Sequence, residues 1–194
     1  GYFVLLAAPT VTADSKPAPK DIVFVVDTSG SMAGAKLEQA KKALQFCIEN
    51  LNDEDRFEIV RFSTEAEPLF GRLVTADKAE RKRASDFIAG LKPIGGTAIS
   101  DALAKALALQ SGTGARPFVV IFLTDGLPTV GTRNPEEIVA EVKKTSQARI
   151  FSFGIGSDVN TQLLDQIAEG TRAFSQYVLA EEDLEVKVSN FYTR

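Results

Sequence analysis

From residue 20 onward the chain alternates short, unbroken apolar runs with longer stretches whose apolar residues recur every three or four positions. "DIVFVVD" at 21–27 and "PFVVIFLTDG" at 117–126 are apolar on both faces, which predicts strands covered on both sides. "RFEIVRF" at 56–62 alternates, with Phe57 and Ile59 on one face, as a strand nearer an edge does. "RIFSFGIG" from 149 and "AFSQYVLA" from 173 read as two more strands, and a short strand near "AEPLFGRL" is placed antiparallel to 56–62. The intervening segments have helical period. Residues 34–51 line up Leu37, Ala40, Leu44, Cys47, Ile48 and Leu51, residues 77–90 turn Ala84, Phe87 and Ile88 inward, and "AISDALAKALALQ" repeats Ile99, Leu103, Ala106 and Leu107. Asn134 and Pro135 open a further helix as N-cap and first helical residue, followed by Glu136 and Glu137 where the helix dipole favours them. Helices at 161–169 and 181–193 complete the series. Strands separated by helices predict an α/β, doubly wound fold with a mainly parallel sheet and helices on both faces.

The first nineteen residues break this pattern. "GYFVLLAAP" is too short for a membrane span and lacks a basic leader, so it reads as a strand remnant, and "TVTADSKPAPK" has linker composition. The expected organisation is a remnant strand and linker from a preceding domain at 1–19 and one domain at 20–194, cut from a longer chain.

Composition narrows the chemistry. Lys plus Arg is 22 and Asp plus Glu is 26, a net charge of −4 with no long basic run, which argues against nucleic acid as a partner. The densest basic cluster, "KAERKR" at 78–83, reads as a solvated helix face. With no histidine, the chain holds no histidine-based catalytic triad. Its one cysteine, Cys47, falls on the apolar stripe of 34–51 and reads as a buried core thiol.

In open α/β sheets ligands bind beyond the carboxyl ends of the strands, where the strand order reverses. Those ends carry "DTSGS" after 21–27, "TDG" after 117–124 and "GIGSD" after 149–154, with "GGT" opening the helix at 98. Asp27 and Asp125 with the hydroxyls of Ser29, Ser31 and Thr97 make an all-oxygen set, suited to a hard divalent ion such as Mg²⁺, Ca²⁺ or Mn²⁺ and not to zinc or copper. Taken singly, each of these residues is also an ordinary capping or turn residue. A Ser29 or Ser31 nucleophile lacks a histidine base, "DTSGS" lacks the lysine of a phosphate-binding loop, and "GIGSDV" lacks the third glycine of a dinucleotide fingerprint. The enzyme alternative with most support is metal-assisted phosphoryl transfer with Asp27 as nucleophile, against which no lysine lies in these loop segments.

The ordered triple "DIVFVVDTSGSM", "GGT" and "FLTDG" resembles the von Willebrand factor type A domain with its metal-ion-dependent adhesion site, over residues 20 to about 193. "GYF", "KPAPKDIVFVVDTSGSM" and "GGTAISDAL" are similar to the inter-alpha-trypsin inhibitor heavy-chain subgroup and its bacterial relatives. The resemblance implies a Rossmann-like six-stranded sheet, mostly parallel, with one short antiparallel edge strand. It implies Ser29 and Ser31 as direct metal ligands, and Thr97, Asp27 and Asp125 as direct or water-mediated ones. It further implies a Glu or Asp carboxylate of a protein partner as the sixth ligand, and an interaction module rather than an enzyme. The resulting expectation is a monomeric, divalent-cation-dependent protein-binding module of a larger extracellular or cell-envelope protein, with magnesium the first candidate and calcium or manganese the alternatives. It has no membrane insertion of its own, and an intracellular scaffold with a structural metal is the other non-enzymatic reading. Partner specificity is expected from "FSTEAEP" at 62–68 and "GLPTVGTRN" at 126–134.

Overall fold

The computed structural model describes residues 18–110, 116–145 and 148–179 together with Glu182, Leu184 and Lys187. The remnant strand and linker expected at 1–19 lie almost entirely outside the described residues, as does most of the helix expected at 181–193.

β1 (Asp21–Asp27) is buried along its whole length, as its two-sided apolar run requires. After a 3-10 turn at Gly30–Met32 come α1 (Ala35–Glu49), β2 (Arg56–Phe62), β3 (Ala66–Pro68), β4 (Val74–Thr75) and α2 (Lys78–Gly90). α3 (Ile99–Leu107), β5 (Phe118–Thr124), α4 (Pro135–Thr145), β6 (Arg149–Ile155), α5 (Thr161–Gly170) and β7 (Ser175–Val178) follow. The sheet order is β3-β2-β1-β5-β6-β7, with β4 also on the outer edge of β2. β1 pairs in parallel with both β2 and β5, and β6 and β7 extend the parallel array. Among the described residues only β3 and β4 run antiparallel, both against β2. The edge position expected for one antiparallel strand thus holds two short ones, because the chain at 69–73 arches away from β2 between them.

Alternate residues of β1 feed two cores. Ile22, Phe24 and Val26 pack with α1, α2 and Leu184, whereas Val23 and Val25 pack with α3, α4 and α5. Helices therefore cover both faces, and Cys47 is buried on the α1 side with its thiol pKa pushed up by burial. Asn134 does cap α4, accepting the Glu136 N–H at 2.9 Å.

The reading of "KAERKR" as a solvated face is corrected at Arg81. Its guanidinium donates to the carbonyls of Ile48, Glu49, Leu51 and Ala76 and to Asp53, closing the C-terminus of α1, whose last turn has no basic residue.

Glu58 is fully buried in the middle of β2. The arch at 69–73 explains it: the carboxylate accepts the N–H groups of Ile59, Leu69, Phe70 and Arg72 at 2.8–3.1 Å. Burial raises its pKa, and these donors oppose the rise. Alternation predicts which face Glu58 occupies and says nothing of the arch that folds over it. Replacing Glu58 by Ala leaves these arch donors unpaired in a dry site. The expected loss is at least about 3 kcal/mol of unfolding free energy, measured by urea denaturation.

Candidate metal centre

The order of the sheet reverses between β1 and β5: the chain winds outward from β1 to β2 on one side and from β5 to β6 and β7 on the other. Asp27 ends β1, and Asp125 follows the last residue of β5, so both aspartates project at this crevice.

Asp27 is fully buried. Its Oδ1 accepts the Ser29 N–H at 2.7 Å and its Oδ2 accepts the Thr124 hydroxyl at 2.6 Å. Although Asp27 ends a strand, neighbouring loops close over it. Burial, the largest cause, pushes its pKa up to about 6; the bonds from Ser29 and Thr124 oppose the rise and the nearby Asp125 adds to it. Ser29 is buried, while Ser31 one turn on is exposed, and their hydroxyls lie 3.0 Å apart. The Ser31 hydroxyl donates to Oδ1 of Asp125 at 2.8 Å, tying the first loop to the third.

Thr97 comes from the second loop and is buried. A Cβ on Gly126 would sit 3.6 and 3.7 Å from Cγ2 and Oγ1 of Thr97 and 3.8 Å from Oδ2 of Asp27, so these groups surround one small space beside Gly126. The loop is held from three sides. The Ile94 N–H donates to the Thr28 carbonyl at 2.8 Å, the Gly96 N–H to the Thr64 hydroxyl at 3.0 Å, and the Thr97 N–H to the Thr129 hydroxyl at 2.8 Å. Glycine is required at 96 because a Cβ there would meet Cγ2 of Val130 at 2.7 Å and Oγ1 of Thr129 at 2.9 Å. Thr64 and Thr129 belong to the two segments expected to set partner specificity, and their hydroxyls position the second loop.

All five sequence-derived residues, Asp27, Ser29, Ser31, Thr97 and Asp125, therefore meet on one rim. Among the described residues no group of three or more Asp, Glu, Cys or His side chains forms a metal-binding cluster, so this rim owes its character to two carboxylates combined with hydroxyls. Such an oxygen set fits a hard divalent ion, and two carboxylates held this close need positive charge beside them.

Two groups were not found from sequence. Thr124 lies under Asp27, hidden in an apolar run. Lys36 reaches from the first turn of α1 to place Nζ 2.6 Å from Oδ2 of Asp125, so the absence of lysine from the loop segments does not hold in space. A cation in a helix's first turn opposes the helix dipole, and that is the one sequence signal that Lys36 has another partner.

A pH effect follows from Asp27. Its folded pKa of about 6 lies above the ordinary aspartate value of 3.8, so folding favours its protonated form. The associated stability is full below the unfolded pKa and is lost as pH rises through the folded one, a difference of about 3 kcal/mol. In EDTA, Asp27→Asn is expected to leave thermal stability near wild type at pH 4 and to raise it progressively toward pH 7, levelling above that. A variant-minus-wild-type difference independent of pH would contradict this assignment.

Comparison with known proteins matches this architecture. Inter-alpha-trypsin inhibitor heavy chain H4 of Homo sapiens is 34% identical over 201 residues, covering 99% of this chain and 21% of that protein. This chain thus spans about a fifth of the length of the curated relatives it matches. The solved von Willebrand factor type A structure from Catenulispora acidiphila superposes with a TM-score of 0.79 at 24% identity, over 90% of this chain and 41% of that one. Proximal thread matrix protein 1 of the mussel byssus, with a zinc occupied metal-ion-dependent adhesion site motif, superposes with a TM-score of 0.71 at 26% identity, over 89% of this chain and 44% of that one. Residues 20–177 match the von Willebrand factor type A domain, and with the sheet order and the rim described above the chain belongs to that family.

Proposed function

We propose that this domain is a divalent-cation-dependent protein-binding module in which Asp27, Ser29, Ser31, Thr97 and Asp125 hold the cation. The observation that carries the reading is the meeting of these side chains, from three loops, at the reversal point of the sheet. A bound cation supplies a Lewis-acidic position open to a carboxylate from a partner's Glu or Asp. The chain's own residues do the rest. Thr124 and the Ser29 N–H orient Asp27, Ser31 links the first loop to Asp125, and Thr129 and Thr64 hold the second loop so that Thr97 faces the rim.

Magnesium is the first candidate ion, with calcium and manganese as alternatives. Zinc joins the ions to be tried because the mussel relative holds it in the corresponding motif, which tempers the expectation that an oxygen set disfavours zinc. A place in a larger extracellular or cell-envelope protein is supported by the partial coverage of the inhibitor heavy chains and by the byssal relative. Among the described residues no helix is long and apolar enough to cross a membrane. A monomeric domain completes the proposal.

Geometry weighs against the phosphoryl-transfer alternative. Asp27 is fully buried and each carboxylate oxygen is engaged by a donor, which leaves it poorly placed to attack phosphorus.

Calorimetric titration of the domain with Mg²⁺, Mn²⁺, Ca²⁺ and Zn²⁺ tests the reading. One-site binding is expected, weakened roughly tenfold to a hundredfold by Thr97→Ala or Ser29→Ala and without loss of fold, in the range seen when a metal site loses a supporting group. Absence of binding by every ion would remove the proposed site. For the partner, capture by immobilised domain is expected in the presence of the bound ion and lost on chelation. Partner capture indifferent to chelator would favour a scaffold with a merely structural metal.

A further inference from the structure

The oxygen cluster carries a fixed cation of its own. Lys36 Nζ lies 2.6 Å from Oδ2 of Asp125, and the two side chains are only 25% and 1% exposed. This pair is therefore far better shielded than an ordinary surface ion pair. The lysine stem is also held. Gly156, just beyond β6, has φ +104°, and a Cβ there would lie 2.8 Å from Cε of Lys36. The Gly156 N–H donates to the Val178 carbonyl at 2.8 Å, anchoring that loop to the end of β7. Lys36 thus runs from α1 over the β6 loop to a carboxylate at the end of β5.

The two aspartates are treated differently. Among the described residues Asp27 receives neutral donors, from Ser29 and from the Thr124 hydroxyl. Asp125 receives the Ser31 hydroxyl on one oxygen and the Lys36 ammonium on the other. One of the two negative charges on the rim is therefore already matched by a cation belonging to the chain.

We propose that Lys36 is an internal competitor for the divalent cation and sets the affinity of the site. The inference rests on the metal-binding reading above. With Lys36 in place the aspartates offer a dication a net charge of −1 instead of −2. The ammonium and the dication also repel each other across a few ångströms. The same lysine stabilises the rim at low metal, because it keeps two close carboxylates from facing each other uncompensated. Affinity for the ion is exchanged for integrity of the site without it.

Calorimetric titration of Mn²⁺ and Mg²⁺ into wild type, Lys36→Met and Lys36→Arg tests this. Met keeps the length of the stem over Gly156 and removes the charge, and Arg keeps the charge. Met is expected to bind at least roughly tenfold more tightly than wild type at low salt, because a unit charge and a dication within a few ångströms of each other repel by about that much even at the dielectric constant of bulk water. Arg is expected to stay near wild type, and the gain in Met is expected to shrink in high salt. In EDTA, Met is expected to melt below wild type and to gain more on adding Mn²⁺. Lys36→Gln repeats the measurement should Met fail to fold without metal, and folding of either variant only with Mn²⁺ also supports the proposal. Affinity in Met and Gln equal to or weaker than wild type, with wild-type binding intact, overturns the competitor role and leaves the metal site standing. Binding by neither wild type nor variants overturns the metal reading and this inference together.

Discussion

Two carboxylates at the ends of adjacent parallel strands cannot share a dry rim without compensation, and the layout of the rim answers that constraint. Parallel pairing of β1 with β5 sets Val26 opposite Leu123, which brings the residues that follow, Asp27 and Thr124, side by side. The Thr124 hydroxyl and the Ser29 N–H then satisfy Asp27 from below, while Ser31 and Lys36 satisfy Asp125 from the side. Hydrogen bonds stabilise each carboxylate locally, but only positive charge removes the repulsion between them. The proposed cation binding and the integrity of the rim are thus two aspects of one electrostatic problem.

The opposite end of the sheet meets the same problem with the chain's own groups. Asp21 forms a two-point ion pair with Arg56 across β1 and β2, at 2.8 and 2.6 Å. Asp55 is fully buried and accepts the backbone N–H groups of Lys20 and Asn52 and the Asn52 amide. There N–H groups and a guanidinium supply the donors to the carboxylates. At the carboxyl edge the absence of a side chain at Gly96 keeps the second loop close, and the hydroxyls of Ser29, Ser31 and Thr97 add oxygens to the two carboxylates, so the rim combines acceptors with few N–H donors. The contrast is one of donor type, and it separates the amino end of this sheet from the end where the metal site is proposed.

Helix placement follows from the two-sided burial of β1 and β5. α1 and α2 cover one face and α3, α4 and α5 the other, so every strand-to-helix loop on the carboxyl side opens toward the same rim. That is why residues from "DTSGS", "GGT" and "TDG", far apart in the chain, come within hydrogen-bonding reach.

The sequence by itself determined the elements and the residue types at the rim. A run such as 21–27 is apolar on both faces only if both faces are covered, and a carboxylate at its end is tolerated only where the sheet opens. Those are local demands, written in consecutive residues. What only the tertiary structure decided lies across the chain. It split the antiparallel edge into two strands, because the arch at 69–73 closes over Glu58. It turned Arg81 from a solvated residue into the cap of α1, buried Asp27 beneath its neighbours, placed Thr124 under it, and brought Lys36 to Asp125. Each of these joins groups separated by many residues, and periodicity carries no information about which distant donor will reach a buried charge. Burial makes a charge costly, and the partner that offsets the cost is chosen by packing in three dimensions.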